Sequence, residues 1–371
     1  MGSGSEVNGE EVLKDICKKL FGEKCEDVVK WCVKRVSEDI RNAIPRGKVA
    51  NVFIVVEPLS RLLIRHEADV LDVTTVPTYV GVNVPAILNT KLHAVVRRQM
   101  LAMLHEWYER GGGKKLEKDS ITKGYADRTY TCVVRPYIRR EKGEKVEEAV
   151  AGYCKKCPAC MIFGYAGMDE EYNVKSRIEG DLYVAPVPEN YACVTVTFNA
   201  VDDVTKTTYI GVGGERTGAL YQLRLVEVGV PFVGKVVLKD VTLAELLLTM
   251  VAMARTSRIG GRTTHFGEIK IHIPAVLLSS YEIDSGYEIA NAILQETGGS
   301  RVSPEDVLNK VVQYVNKYSS RGTLIVDRDL AEKLRNLPQD GIDTLILSAW
   351  RDAALFKRSL DRFVHKSGEG K

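Results

Sequence analysis

Apolar residues recur at helical spacing from Glu10 to Leu20 and again from Glu26 to Ile44. In the second run Val29, Trp31, Cys32, Val33, Val36 and Ile40 share a broad face, and Pro45 and Gly47 stop it. Asn51 to Glu57 and Leu59 to Arg65 are rich in Val, Ile and Leu and read as strands, with Pro58 as the break between them. Asn89 or Thr90 caps a helix that keeps the 3.6-residue period through Leu92, Val95, Val96, Met103, Leu104 and Trp107, and Gly111-Gly112-Gly113 ends it near Tyr108. A strand is predicted from Tyr130 to Ile138. Two more run from Tyr191 to Ala200 and from Leu220 to Val228, joined by the polar loop Val201 to Gly218, which is long for a hairpin and reads as a projecting finger.

Further on, Val241 to Arg255 is an apolar helix, Ser257 to Gly267 a glycine- and arginine-rich loop, and Glu268 to Pro274 a strand. Helices then dominate, from Pro304 to Tyr318 and from Ile342 to Val364. Strands and helices alternating in this order predict an α+β fold with a ferredoxin-like core of the RNA-recognition-motif kind. The expected division is an N-terminal helical segment (1–48), a core (49–110 and 181–280), insertions carried by it (111–180) and a C-terminal helical region (281–371).

Composition adds little by itself: 371 residues, 45% hydrophobic, 27% charged and a net charge of +3 describe an ordinary globular protein. The longest apolar stretch, Thr242 to Ala254, is too short to span a bilayer and is interrupted by Glu245. No secretory leader is readable at the amino terminus, so a cytoplasmic protein without a membrane partner is expected. Charge distribution says more: Gly111 to Lys145 holds ten Lys or Arg against five Asp or Glu.

Cys154-Lys155-Lys156-Cys157-Pro158-Ala159-Cys160 carries the strongest local chemistry. Three thiolates at such intervals converge on one tetrahedral ion, whereas a disulfide consumes only two. Cys132 is the preferred fourth ligand, with Cys193, His93 and His105 as alternatives. A structural zinc is the expectation, set against unmetallated buried or redox-active cysteines.

The segment Arg255 to Gly267 is a second candidate, because Gly260 and Gly261 let backbone amides approach a phosphate while Arg258 and Arg262 supply bidentate donors. A flexible solvated connection is the bland alternative. Lys91, Arg97 and Arg98 decorate the helix after the acidic stretch Glu67 to Asp72, although charges on an amphipathic helix are usually just its wet face. Tyr209, Tyr221 and Phe266 are candidates for base stacking, weighed against ordinary core roles. Glu67, Asp69 and Asp72 could hold a divalent cation for phosphodiester cleavage; acidic loop residues are more often plain surface groups.

These segments together resemble the RAMP superfamily, most closely the backbone subunit of type I-D CRISPR effector complexes. The resemblance rests on Ile54 to Arg65, on Ile87-Leu88-Asn89-Thr90-Lys91-Leu92 with Arg97 and Arg98, and on Cys157-Pro158-Ala159-Cys160-Met161-Ile162-Phe163-Gly164. Gly218-Ala219-Leu220-Tyr221 to Phe232-Val233-Gly234 and Gly260 to Gly267 complete it. It implies a palm with lid, zinc-binding and helical insertions that binds single-stranded CRISPR RNA whatever its sequence. It also implies self-assembly as a helical filament on that RNA, beside target nucleic acid and other effector-complex subunits. On this likeness Lys91, Arg97, Arg98, Arg258 and Arg262 touch phosphates beside Gly260 and Gly261, and Val201 to Gly218 forms a thumb. Type III relatives place a target-cleaving aspartate after the first strand; here Ile64-Arg65-His66-Glu67 stands where their glycine-rich turn would be. No catalysis is therefore expected, the rivals being a metal-dependent ribonuclease and a zinc-stabilised scaffold that contacts protein only.

Overall fold

The computed structural model describes residues 4–65, 73–125, 129–134, 137–140, 147–166, 172–199 and 220–368. The chain opens with helices α1 (Gly4–Phe21) and α2 (Cys25–Trp31), tied by a disulfide between Cys17 and Cys25. Strands β1 (Val49–Pro58), β2 (Thr75–Pro77) and β3 (Asn83–Ile87) lead into α3 (Asn89–Trp107) and α4 (Gly113–Lys118). Then come the hairpin β4 (Tyr137–Arg140) and β5 (Glu147–Ala151), the short α5 (Pro158–Phe163), β6 (Ile178–Gly180), β7 (Tyr183–Val184) and α6 (Glu189–Ala192). A second hairpin, β8 (Cys193–Asn199) and β9 (Leu220–Val226), precedes β10 (Phe232–Lys239), α7 (Leu243–Arg255) and β11 (Ile269–Ser279). The remainder is α8 (Gly286–Thr297), α9 (Pro304–Asn316), β12 (Thr323–Val326), α10 (Leu330–Arg335) and α11 (Gln339–Gly368). No helix among the described residues is long and apolar enough to cross a membrane.

The fold is mixed α+β around an antiparallel sheet ordered β12-β11-β1-β10-β7-β3-β2, with β6 also pairing β10. At its centre Val52 sits between Val236 of β10 and Val276 of β11. Nearly every position of β1 is buried, so both faces of that strand are covered, and its run of Val, Ile and Phe needs no polar alternation. Helix α7 packs on β11 and on α3, α10 and α11, while α8 and α9 cover β10, β1 and β11. Phe53, Phe232, Trp107 and Trp350 are fully buried in one continuous core. Each such side chain stabilises by roughly 2–3 kcal/mol.

Helix α7 starts where sequence chemistry says it should. The Thr242 hydroxyl accepts from the Glu245 amide, and the Glu245 carboxylate accepts from the Thr242 amide. That buried carboxylate also binds Arg35 at 2.8 Å and Arg177 at 2.9 Å. Against the burial that would raise it, the two guanidiniums hold the Glu245 carboxyl down to about 2. Thr242 donates its hydroxyl proton to Asp352 of α11 at 2.5 Å.

Several expectations give way here. The second predicted helix stops at Trp31, because Cys32 and Val33 turn into the core, the Val33 amide bonds the Val241 carbonyl at 3.0 Å, and Arg35 is drawn to Glu245. Only Val36 of that apolar face is left out in water. Leu59 to Arg65 makes two isolated bridges, Leu62 to Val226 and Ile64 to Val73, instead of a strand. The strand expected over Tyr130 to Ile138 is confined to β4, and 129–134 are irregular. Leu88 is the cap residue of α3, while the Asn89 side chain donates to the Gly180 carbonyl at 2.6 Å. The triple glycine kinks the helical path into α4 without ending it. The acidic stretch 67–72, Tyr209 and the finger 201–218 lie outside the described residues.

Candidate metal centre and nucleic-acid interface

The irregular stretch before β4 delivers Cys132, the exit from β5 delivers Cys154, and α5 delivers Cys157 and Cys160. Cys157 is the cap residue of that helix, its sulfur accepting from the Cys160 amide, with Pro158 following at the first helical position. The four sulfurs lie within 4.8 Å of one another and could hold a metal ion. Cys132 and Cys160 are 3.5 Å apart, and Cys157 and Cys132 3.7 Å. A tetrahedral thiolate site with bonds of about 2.3 Å places its sulfurs about 3.8 Å from one another, so the donor set fits zinc without rearrangement.

The amides of Cys154, Cys157 and Cys160 each donate to a cluster sulfur, at 3.4, 3.2 and 3.4 Å. Such donors offset the negative charge of a tetrathiolate. The Cys160 thiol is pulled well below its usual range by hydrogen bonds from Cys132, Cys154 and Cys157, and the nearby Arg97 charge adds to this. His105 donates from Nε2 to the Cys132 carbonyl at 2.8 Å, so it orients a ligand and is not one. His93 packs edge-on to Phe163, and Cys193 stands at the start of β8; neither belongs to the cluster.

Arg97 departs from the phosphate-binding role drawn from the family likeness. It is 8% exposed, its Nη2 lies 3.8 Å from the Cys160 sulfur, and its guanidinium covers the Tyr153 ring at 4.3 Å. The helix face bearing Arg97 packs on the cysteines, and a side chain so enclosed has no face left for a nucleotide.

The glycine-rich loop is built differently. Its amides and carbonyls are threaded into the segment after β1: Gly261 donates to the Leu63 carbonyl at 2.8 Å and Gly267 to that of Arg61 at 2.9 Å, while Ile259 closes on Gly267 at 2.8 Å. Gly260 and Gly267 have φ of 93° and 84°, and a Cβ on either would fall 2.4 Å from the Leu63 oxygen or 2.2 Å from that of Ile259. Only glycine fits these left-handed close approaches. The loop is thus a pinned turn and not a loose connection.

Arg258 is exposed and donates to the Thr263 and Phe266 carbonyls at 2.8 and 3.2 Å, bracing the turn from outside. Arg262, exposed and with a left-handed φ of 50°, donates to the Tyr221 hydroxyl at 2.6 Å and covers its ring at 4.8 Å. Tyr221 stacks on Phe198 at 5.3 Å and 14°, and Phe198 meets Phe266 edge-on at 5.8 Å. Leu63, Leu223 and Leu225 form the apolar bed beneath. Loop and second hairpin therefore present one shelf with a stacked aromatic pair, a guanidinium above it and glycines at its edge. Aromatic rings and a guanidinium placed together are groups that can meet a nucleic-acid strand without reading its bases.

Lys91 and Arg98 stay on the surface of α3, half-buried and exposed respectively. Lys91 lies in the first turn, the end that Asn89 ties to Gly180, whereas Glu106 in the last turn is what acts electrostatically on Arg255 at the end of α7.

Residues 35–340 match the family described as Csc2 Crispr. The chain belongs to the Csc2 CRISPR family. The matched span of this Csc2 chain takes in all four clustered cysteines and the whole glycine-rich loop. The crystal structure of Thermofilum pendens Csc2 is similar in fold, with 22% identity and a TM-score of 0.66 over 92% of this chain and 95% of that one. A chain of a CRISPR RNA-guided surveillance complex, pre-nicking, aligns with 12% identity and a TM-score of 0.47 over 81% of this chain and 100% of that one. No protein of curated function matches.

Proposed function

We propose that this Csc2-family chain is the repeating backbone subunit of a CRISPR effector complex of type I-D, holding single-stranded CRISPR RNA independently of sequence. The observation that carries the reading is the shelf of Arg262, Tyr221 and Phe198 beside Gly260 and Gly261 in a member of that family. Aromatic stacking and cation contacts serve every base alike, leaving sequence reading to base pairing with target nucleic acid. Copies of the chain would follow one another along the RNA as a helical filament in the cytoplasm, flanked by other subunits, without cleaving anything. Support for an RNA-recognition-like core comes from strand order: β11, β1, β10 and β6 stand as fourth, first, third and second strands, with α3 and α7 in the two crossovers. The four cysteines would carry a structural zinc that clips the insertion 111–180 to α3. Lys91 and Arg98 would meet the RNA backbone from a second direction.

The test is fluorescence anisotropy with labelled single-stranded RNAs of several lengths and unrelated sequences. Affinity should grow with length, fall steeply with salt and be indifferent to sequence. Arg262→Glu should weaken binding by roughly tenfold or more, reversing a charge at the shelf. Undiminished binding by Arg262→Glu would remove the shelf from the RNA path.

A further inference from the structure

The chain is anchored to the body of the molecule at residues 33–35, where the Val33 amide bonds the Val241 carbonyl at 3.0 Å and Arg35 pairs with Glu245 at 2.8 Å. The span that matches the Csc2 family begins at the same point, residue 35. Helices α1 and α2 are therefore an addition in front of the family fold. Helix α1 packs on α10 and α11, and α2 packs on α1. Two close approaches fix the course of α1 along α11: a Cβ on Gly341 would fall 3.4 Å from Ile16 Cδ1, and one on Gly9 would fall 3.9 Å from an Arg351 guanidinium nitrogen. The two helices thus run antiparallel, side by side.

Little apolar surface holds this pair in place. Among the described side chains of α1 and α2 the buried ones are Ile16, Cys17, Leu20, Phe21, Cys25 and Val28, and the two joined cysteines are a third of that set. Residues 9–15, the part of α1 that reaches Arg351, contribute none. A covalent bond holds two sulfurs far inside the distance at which two thiols can rest, and neither buried cysteine has solvent to expand into. Reduction therefore overfills the place where α1 meets α2. It also removes the limit that the cross-link sets on the freedom of the undocked pair. Both effects act in one direction, away from the docked state.

We propose that the Cys17–Cys25 disulfide is a redox latch: oxidised, it keeps α1 and α2 docked along α11, and reduced, it lets the pair lift off and uncover that side of α11 while the sheet and its other helices stay folded. Opening takes two electrons and two protons, supplied by a dithiol that closes its own disulfide as Cys17 and Cys25 become thiols. Both sulfurs are buried, so the reductant acts when the helices part and not on their docked surface. In a reducing cytoplasm, the setting proposed above, a disulfide is usually a transient and redox-sensing one, and on that reading the latch responds to the thiol poise of the cell.

The experiment is pulsed trypsin digestion of the full chain before and after treatment with dithiothreitol, read by mass spectrometry. Exposed Lys18, Lys19 and Lys24 supply cleavage sites in α1 and in the turn after it. Reduction should speed cleavage there by roughly tenfold or more, a modest share of what closing a short loop contributes, while cuts after residue 35 keep their rates. Cys17→Ala combined with Cys25→Ala should be cut at the fast rate with or without dithiothreitol. Cleavage untouched by reduction, slow cleavage of the double variant, equal acceleration of every cut along the chain, or alkylation of Cys17 and Cys25 in the untreated native chain would each overturn the latch. None of these readings involves RNA or the compartment, so the latch and the backbone-subunit reading fail separately.

Discussion

Arg97 and Arg262 each stack on a tyrosine and do opposite things. Arg97 lies over Tyr153 against the cysteine cluster, enclosed on every side, whereas Arg262 lies over Tyr221 on an exposed shelf. The contact is the same cation–π geometry. What differs is whether the guanidinium retains a face for another molecule, and that separates a side chain packed against the cysteine cluster from one open to a ligand.

The comparison breaks hardest at the sulfurs. Cys157→Ser should lose the proposed zinc and several kcal/mol of stability, because metal affinity is folding free energy in such a site; metal content by mass spectrometry and a urea unfolding curve would show it. Next, Arg97→Leu should cost about 3 kcal/mol by leaving the cluster's charge uncompensated. RNA affinity measured below its melting temperature should not change, and a selective loss of RNA binding would put Arg97 back among the RNA contacts. Third, Tyr221→Ala should weaken RNA binding by about 1–3 kcal/mol while shifting stability far less, the inverse of Arg97→Leu.

The mildest test uses the buried acid behind Arg35. The folded-state carboxyl of Asp352 is raised to about 7, so the native state binds more protons than the unfolded chain between about pH 4 and 7. Its contribution is complete below the unfolded value and is lost as pH rises through 7, with a slope of at most about 1.4 kcal/mol per pH unit. Asp352→Asn should flatten that slope in pH-dependent urea titrations, and an unchanged slope would assign the proton elsewhere.

How much of this is legible in the chain follows from how local the chemistry is. Three cysteines within seven residues mark a candidate cluster by themselves, and Cys132 joins them because a hairpin exit leads back past it. The glycine-rich loop is equally visible, since Gly260 and Gly267 are needed by backbone geometry. Arg97 is not, because periodicity shows that α3 has a packed face without saying that the packing partner is a cysteine cluster whose Cys160 lies 63 residues away. Strand β10 is hard to read for a related reason: Phe232 to Lys239 is nearly all buried and carries Lys235 inside, its amine donating to the Ile283 carbonyl at 2.5 Å. Helix α8 carries a readable start in the capping box of Ser285 and Glu288. The overlong second helix shows a buried ion pair overruling a regular apolar spacing at Arg35.

The turn beside the aromatic shelf takes its shape from peptide groups of residues 59–63, through bonds that do not depend on which side chains those residues carry. Replacement of the exposed Leu59 should be absorbed, Leu62 and Leu63 are held by burial, and adding or deleting one residue between Pro58 and Leu63 would put the backbone donors out of step with their acceptors. Chain length here matters as much as the buried leucines do.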